Sequence, residues 1–373
     1  MKWVFWIAAA TIAYAYVGYA AWLWLRSRWA PRPVRRGSIE PAVSAVMVVR
    51  NEEAVIARKL ENLLTLDYPT DKMEVVVVSD GSSDGTAATL EQFAQNARVR
   101  ICLKPESQGK ALGLNDAIKR ASGEILLFTD ARQTIEPMAL RLLIENFADP
   151  AVGCASGELM LGDPASGETG QGMGLYWRIE KKIREMESAS GSVVGATGAI
   201  YCARRALLEP LPAGTILDDV LLPMQVVRQG ARVIFDSRAR AWDSPDLGGS
   251  REFSRKVRTL SGNYQLLQLA PWLLGSKNPI RFEFISHKLS RLTVPFALLA
   301  LLVASLCLPQ LWYRAALVAQ LVFYILSMLA MAGVKFGPLA RVADAARTFV
   351  VLNSAALVAF VNFVTGRKAV WVR

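Results

Sequence analysis

The sequence is poor in the residues that build zinc cages and disulfide frameworks. Its four cysteines are Cys102, Cys154, Cys202 and Cys307. They are far apart and none has C-x-x-C spacing, so neither a zinc site nor a disulfide framework is indicated. Reduced, buried thiols suit a cytoplasmic domain. The single histidine, His287, stands beside Lys288 and Arg291, which favours a position at an interface over a catalytic role.

Acidic residues are also fewer than basic ones. The chain has 43 Lys and Arg against 32 Asp and Glu, a net charge of +11. Such a charge can indicate nucleic-acid binding, but many of the basic residues flank apolar segments, where anionic membrane lipid is the simpler partner. We therefore expect a lipid partner and no nucleic acid.

Apolar residues make up 53% of the 373 residues, and the excess is concentrated at the two ends. Residues 3–25 carry no charge and are long enough to cross a bilayer, with Trp and Tyr near the borders. The run is too long for a signal peptide and lacks a small-residue cleavage site. We interpret residues 1–28 as a retained transmembrane anchor; a buried core helix is the alternative.

A basic segment follows the anchor at once and contains Arg26, Arg28, Arg32, Arg35 and Arg36. The positive-inside rule then places the amino terminus outside and the following domain in the cytoplasm. Pro31 and Pro33 make residues 29–42 a poor helix, and we interpret them as a linker.

The carboxyl-terminal part, residues 292–373, contains the apolar runs 292–311, 315–334 and 349–364, which predict two or three further transmembrane helices. The third run is the shortest, and its Asn353 and Asn362 would prefer a protein or wet partner over lipid. If all three runs span, the basic tail lies outside, against the charge rule. Residues 246–291 mix aromatic, apolar and basic side chains and predict an amphipathic segment on the membrane surface.

Between the ends, residues 43–245 have the pattern of an α/β domain. Val75–Val78, residues 45–49 and residues 124–129 predict buried strands with helices between them, so we expect βαβ units in a mostly parallel sheet. Residues 98–103 and 151–161 predict further strands, the second followed by a loop. The helix predicted over 176–187 is dense in charge, which favours a solvated face.

Charged side chains recur where these strands end. Asp80, Lys110 and Asp130 come at successive strand ends and helix starts, the edge at which open α/β sheets bind ligands. Asp218 and Asp219 are adjacent carboxylates in an apolar frame, so repulsion and burial should raise the pKa of at least one and suit it to general-base catalysis. An acidic first turn that satisfies a helix dipole is the alternative, and it fits Asp218 better.

Five motifs in this order resemble the membrane-bound, inverting family 2 glycosyltransferases, relatives of the cellulose, hyaluronan and poly-N-acetylglucosamine synthases. They are Arg50-Asn51-Glu52-Glu53, the loop of residues 79–86, Gly109-Lys110-Ala111 with Leu114-Asn115, Thr129-Asp130-Ala131, and Leu217-Asp218-Asp219. The resemblance covers about residues 43–274. It implies a GT-A-like, Rossmann-type nucleotide-sugar-binding domain with N- and C-terminal transmembrane helices.

The resemblance also implies roles for individual residues. Asp80 is expected to contact uracil, Asp130 to bind Mg²⁺ or Mn²⁺, and Asp219, with Asp218, to supply the base. The other residues expected to contact substrate are Asn51, Glu52, Lys110 and Gly198. Gly198 lies in a run of small residues that lets the backbone approach a ligand closely.

Two family motifs are altered. Arg132 stands where the second Asp of the D-x-D metal motif is expected, so a metal ligand is lost and a phosphate-binding guanidinium is gained; an exposed charge at a strand end is the alternative. Arg255-Lys256-Val257-Arg258-Thr259 stands where Q-x-x-R-W is expected. Arg258, with Arg255 and Lys256, is expected to hold the leaving diphosphate. The missing Trp puts long-chain processivity in doubt.

The sequence therefore predicts an integral protein of a bacterial inner membrane, compatible with an oligomer, that transfers sugar from a UDP-sugar in cell-surface or exopolysaccharide synthesis. The acceptor is a polysaccharide or a lipid-linked glycan. The alternative is a non-catalytic membrane partner or export component that retains the nucleotide-binding fold. The altered motifs favour that alternative, whereas the retention of Asp80, Asp130 and Asp219 weighs against it.

Overall fold

A computed structural model describes residues 1–162, 175–244, 249–334 and 336–367. The loop predicted after residue 161 and the end of the basic tail lie outside these residues. The described strands are β1 Val43–Val49, β2 Met73–Asp80, β3 Val99–Lys104, β4 Ile125–Phe128, β5 Thr134–Ile135, β6 Val152–Leu161, β7 Tyr201–Arg204 and β8 Arg232–Asp243.

The strands form one eight-stranded sheet in the described part of the chain, in the order β3-β2-β1-β4-β7-β6-β8-β5. Strands β3, β2, β1 and β4 are parallel. Strand β7 is antiparallel to both β4 and β6, while β8 runs parallel to β6 and antiparallel to β5. The sheet therefore has a parallel half, which the sequence pattern predicts, and a mixed half containing β7 and β8, which it does not.

The helices alternate with these strands and then extend beyond the sheet. They are α1 Lys2–Trp29, α2 Glu53–Leu64, α3 Thr86–Gln92, α4 Lys110–Arg120, α5 Ala139–Ile144, α6 Leu175–Ser190, α7 Asp218–Arg228, α8 Gly249–Leu269, α9 Arg281–Cys307, α10 Leu311–Met331 and α11 Ala340–Val364.

Strand β1 shows how the sequence builds two cores. Its side chains alternate between the faces of the sheet, as the period of a strand requires. Met47 belongs to the same buried core as Ile56 of α2 on one face, and Val48 to the same core as Leu114 of α4 on the other. Each buried side chain of this size contributes about 1.5–3 kcal/mol. Burial on both faces thus holds the parallel half rigid beneath the loops at its carboxyl edge.

Four helices among the described residues, α1, α9, α10 and α11, are long and apolar enough to cross a membrane. The shortest of the three carboxyl-terminal runs belongs to the 25-residue helix α11. Within it, Asn353 Nδ2 donates to Tyr16 Oη of α1 at 3.2 Å, which confirms the expectation of a protein partner for this amide. Tyr264 of α8 stacks on Phe363 of α11, so α8 packs along this helix.

Two interpretations of charged side chains need correction. Helix α6 is expected to present a solvated face, and Arg178 and Lys182 are exposed, but Glu180 and Glu187 are buried. His287 was expected at an interface, yet only 1% of it is exposed, and both of its ring nitrogens face these glutamates. The charges are hidden because α6 packs against α1 and the beginning of α9.

Candidate active site

The candidate site lies at the edge where the parallel strands end. Strands β1 and β2 end side by side, with Val49 opposite Ser79, and Phe128 ends β4 opposite Val46 of β1. Asn51, Asp80 and Asp130 therefore lie at one edge of the sheet. This edge is where open α/β sheets place ligands.

Lys110 joins three elements of this edge. Its Nζ lies 3.0 Å from Asp130 Oδ1 and 3.1 Å from Asp218 Oδ2. Lys110 begins α4, Asp218 begins α7, and Asp130 follows β4, so one ammonium ties two helix starts to a strand end. Burial opposes the charge of Lys110, but Asp130, Asp218 and Asp219 together raise its pKa above the ordinary lysine value. Lys110 is therefore a permanent cation here.

Asp219 lies beside this ion pair. Burial and the adjacent Asp218 carboxylate raise the pKa of Asp219 to about 6, against the opposing charges of Lys110 and Lys288. A carboxyl group with such a pKa is a stronger base than an ordinary aspartate and is still mostly ionised at neutral pH. We call Lys110, Asp130, Asp218 and Asp219 the catalytic-edge cluster.

Gly198 lies between two carboxylates of this cluster. A Cβ atom at this position would lie 3.3 Å from Asp130 Oδ2 and 3.6 Å from Asp219 Oδ2. The absence of a side chain thus keeps open the space between Asp130 and the expected base. A reacting group that enters this space would meet both carboxylates.

Asp80 is placed differently from the expectation of a side chain that projects from the strand end. It is fully buried and accepts hydrogen bonds from Ser107 Oγ at 2.7 Å, Gln108 N at 2.9 Å and Gly109 N at 2.8 Å. These bonds fix the loop that leads into Lys110. A carboxylate has about four lone-pair directions, so its remaining capacity allows another donor. Contact of Asp80 with uracil stays a prediction.

Asn51 joins the loop after β1 to the loop after β2. Its side-chain Oδ1 accepts a hydrogen bond from Ser83 N at 2.8 Å, and its backbone N–H donates to Ser82 Oγ. Burial raises the pKa of Glu52, while Arg132 opposes this shift and Asp130 adds to it. The charges of Arg132 and Asp130 thus both act on Glu52, and the Arg132 side chain is exposed.

The sequence analysis missed Lys59. This buried side chain donates to Thr129 Oγ1 at 2.8 Å and to the Gln133 carbonyl at 2.7 Å, so it holds the loop that carries Asp130 and Arg132. Burial lowers the pKa of Lys59 to about 7. A signal was present, because Ile56, Lys59 and Leu60 share one helix face with Leu63, and a lysine on an apolar face needs a buried acceptor.

The expected diphosphate-binding residues of α8 are not joined to the catalytic-edge cluster. Lys256 pairs with Glu252 of the same helix, and Arg255 is exposed. Arg258 is partly buried and makes no hydrogen bond or ion pair to any residue that the structure describes. Farther along α8, Gln265 Oε1 accepts from Ile216 N at 2.9 Å, so this helix supports the turn before Asp218.

The side chains at this edge of the sheet fit a metal ion only in part. The residues that the structure describes contain no group of three or more His, Cys, Asp or Glu side chains able to hold a cation. Asp130 is 42% exposed and keeps one oxygen away from Lys110, toward Gly198. Mg²⁺ often binds through one or two carboxylates together with substrate phosphates and waters. The site therefore fits a cation shared between Asp130 and a bound diphosphate, and it does not fit a cage made by protein alone.

The fold is similar to that of a solved protein, the mannosyltransferase PcManGT from Pyrobaculum calidifontis in complex with GDP-Man and Mn²⁺. The TM-score is 0.74 at 23% identity, and the similarity covers 98% of this chain and 100% of that one. This similarity confirms the predicted GT-A-like fold with apolar helices at both ends.

Two curated relatives cover parts of the chain. The β-monoglucosyldiacylglycerol synthase of Synechocystis is 29% identical over 171 residues, which are 45% of this chain and 36% of the relative. The poly-β-1,6-N-acetyl-D-glucosamine synthase of Staphylococcus aureus is 25% identical over 236 residues, 60% of this chain and 55% of the relative. The chain thus matches between about a third and about half of the length of these relatives.

The family comparison covers most of the sheet and most of the site. Residues 44–211 match the family described as Glycosyl transferase family 2, a range that holds Asn51, Asp80, Lys110, Asp130 and Gly198. Asp218 and Asp219 follow directly after it. Residues 44–211, which are slightly less than half of the chain, are therefore similar to glycosyl transferase family 2.

Proposed function

We propose that this chain is a membrane-embedded, inverting glycosyltransferase that transfers a sugar from a UDP-sugar to a glycan or a lipid-linked glycan. The observation that carries the proposal is the position of Asp219. Its carboxylate has a pKa of about 6 and faces the space beside Gly198, across from Asp130 and its partner Lys110. The proposed base and the charged pair Asp130–Lys110, which we expect to face the diphosphate, thus border the same space, as sugar transfer requires.

The donor side is assigned to the carboxyl edge of β2 and β4. Asp130 would hold Mg²⁺ or Mn²⁺, which when bound neutralises charge on the diphosphate. Arg132 and Glu52 border the same position, and Arg132 gains a guanidinium that can grip phosphate where the D-x-D motif has a carboxylate. Asp80 orders the loop beneath the nucleotide and keeps capacity for a further donor such as a pyrimidine N–H.

The acceptor side is assigned to Asp219. The acceptor hydroxyl forms its new bond to the anomeric carbon on the face opposite the diphosphate, and the carbon–oxygen bond to UDP breaks. Asp219 takes the hydroxyl proton, and UDP leaves with the electron pair of that bond. Attack on the opposite face inverts the anomeric centre. Asp218 neutralises Lys110 and raises the basicity of its neighbour.

The apolar helices and the arginines beside them support the proposed membrane placement. Arg26 and Arg28 end α1, and more arginines follow it, so we assign the family 2 domain to the cytoplasmic side of a bacterial inner membrane. Four crossings would return the carboxyl terminus to the side of the amino terminus. Nucleotide sugars made in the cytoplasm then reach the carboxyl edge of the sheet without crossing the bilayer.

The two relatives point to different acceptors for similar domains. The name of one describes a glucolipid synthase and that of the other a polysaccharide synthase. The tryptophan missing beside Arg258 removes an aromatic platform on which a sugar chain could stack, which favours few additions over a long processive chain. The solved fold relative binds GDP-Man, so guanosine donors belong in any test of donor choice.

The test is an incubation of the purified full-length protein with radiolabelled UDP-sugars and GDP-sugars and a membrane lipid extract. The expected result is label transferred from a UDP-sugar into lipid or glycan; one product band indicates single addition, and a ladder indicates a polymerase. Label that stays with every donor while UDP still binds would instead favour the non-catalytic membrane partner.

A further inference from the structure

A second group of buried charges lies on the membrane side of the domain, away from the catalytic-edge cluster. Glu180 and Glu187 project from α6, and His287 and Arg291 project from the beginning of α9. We call these four residues the membrane-side cluster. The proposed reaction does not use any of them, although burying four ionisable groups is costly unless they are fully paired.

His287 connects the two glutamates. Its Nδ1 lies 2.8 Å from Glu187 Oε1 and its Nε2 lies 2.9 Å from Glu180 Oε1. Carboxylates only accept hydrogen bonds, so the ring satisfies both partners when both nitrogens carry protons. Arg291 donates to the other oxygen of Glu180 at 2.8 Å. Arg184 of α6 also lies 3.5 Å from Glu180 Oε1, so the two carboxylates of the cluster are matched by two arginines beside the bridging ring.

The first apolar helix also joins this group. Tyr19 Oη of α1 donates to Glu187 Oε1 at 2.6 Å. One turn away, Tyr14 Oη lies 2.6 Å from Ser286 Oγ. Tyr14 begins a π-helical segment of α1, residues 14–18, and Ser286 lies in a π-helical segment of α9, residues 285–289. Such segments occur frequently at functional sites, and here two of them meet.

A short path leads from this cluster to the expected base. The second oxygen of Glu187 accepts from Val194 N at 3.3 Å. Two residues later, Ala196 N donates to the carbonyl oxygen of Asp219 at 2.7 Å, and Gly198 then borders the carboxylates of Asp130 and Asp219. The backbone of residues 193–198 therefore runs from the membrane-side cluster to the catalytic base.

We infer that His287 is a positioning residue for sugar transfer: with Glu180 and Glu187 it uses the membrane helices to hold residues 193–198, and through them Asp219, in the reactive position. The nucleotide side of the site is held by different bonds, those of Asp80, Asn51 and Lys59. A fault in the membrane-side cluster should therefore disturb the base and leave donor binding intact. This inference rests on the proposed function, because it assigns a role in that reaction.

The test replaces His287 in the full-length protein. His287→Gln retains a donor at one end of the side chain but cannot reach both glutamates. The turnover number should fall about tenfold because small displacements of a base are costly, while the KM for the donor and the calorimetric affinity for UDP stay within about twofold. Amide hydrogen exchange should rise at Val194 and Ala196 and stay unchanged in β1 and β2.

Two further variants keep the test decisive. Tyr19→Phe removes one hydroxyl from the cluster and should show the same pattern at smaller size, even if His287→Gln folds poorly. The matched control is Gln320→Leu, because Gln320 is also a buried polar residue among the apolar helices, bonded to the Leu298 carbonyl and to Tyr324. It should leave turnover and exchange at Val194 unchanged.

Three results would overturn the inference. Normal turnover in both His287→Gln and Tyr19→Phe would remove the cluster from the reaction. A parallel loss of turnover and UDP affinity, with exchange raised throughout the chain, would reduce its role to general stability. An equal loss of turnover in Gln320→Leu would likewise reduce the role of the cluster to general stability. If the wild-type protein transfers no sugar, the proposed function fails, and the exchange at Val194 and Ala196 still decides whether His287 orders this segment.

Discussion

Two groups of charges in this chain each shift the pKa of one buried carboxylate, in opposite directions. In the catalytic-edge cluster, Lys110 pairs with Asp130 and Asp218, and the pKa of Asp219 is raised to about 6 against the opposing charges of Lys110 and Lys288. In the membrane-side cluster, burial alone would raise the pKa of Glu180, but His287, Arg291 and Arg184 hold it well below its usual range. The difference lies in charge balance, because burial is common to both.

This contrast distinguishes a site of chemistry from a structural support. A cluster with excess negative charge has a raised pKa that suits proton transfer, and it attracts a cation. A balanced cluster is inert as a base and costs stability when one member is removed. The predictions below test whether the two clusters respond to the loss of one charge in these different ways.

The largest effect is expected for Asp219→Asn, which keeps the shape of the side chain but cannot accept the acceptor proton. Turnover should fall about a hundredfold or more, with UDP affinity retained, as measured by transfer assays and calorimetry. The folded state binds the Asp219 proton more tightly than the unfolded state does, so ionised Asp219 opposes folding near neutral pH. Asn removes this cost, and the variant should unfold no more easily than the wild type.

Asp218→Asn is the matched comparison for that prediction. If Asp218→Asn were inactive while Asp219→Asn turned over normally, the base would be Asp218. Normal turnover in both variants would refute the mechanism.

Glu180→Gln in the membrane-side cluster should lower the stability of the protein, whereas Asp219→Asn should not. The change at Glu180 leaves Arg291 and Arg184 without the carboxylate that they share, so the free energy of unfolding should fall by about 3 kcal/mol, as when one partner of a buried ion pair is removed. Thermal unfolding of both purified variants in one detergent measures this. A Glu180→Gln protein as stable as Asp219→Asn would show that charge balance does not distinguish the clusters.

Much of the catalytic edge could be predicted from sequence because its residues follow strands with clear apolar patterns. Val75–Val78 and the run at Val46 predict their strands directly, and Asp80 and Asp130 come next in the chain. The membrane-side cluster could not be predicted in this way. His287 lies 100 residues from Glu187 and 107 from Glu180, and a charged helix without its packing partner resembles a solvated one.

Strands β7 and β8 could not be predicted from the pattern of apolar residues either. Strand β7 is only four residues long, and β8 mixes charged and apolar residues because its second half is partly exposed. Asp80 shows another limit of motif-based prediction. Its position was predicted, but its bonds to residues 107–109 depend on a loop whose path only the fold defines.

A smaller effect is expected when the proposed metal ligand Asp130 is replaced. Asp130→Asn removes the only carboxylate of the metal motif, so UDP affinity in the presence of Mn²⁺ should fall about tenfold toward the value measured with EDTA. Titration calorimetry with and without Mn²⁺ measures this, with Glu61→Gln, an exposed carboxylate near the end of α2, as control. Wild-type affinity that EDTA leaves unchanged would instead assign the phosphate charge to Arg132.

The most direct test of the central claim, that an unbalanced cluster makes Asp219 the base, is the pH dependence of turnover. Asp219 must be ionised to act, so turnover should fall with decreasing pH, with a midpoint near 6. Asp218→Asn removes the neighbouring charge that helps to raise this pKa, so its midpoint should move to lower pH. A wild-type midpoint near that of an ordinary aspartate, or one that stays in place in Asp218→Asn, would contradict the claim.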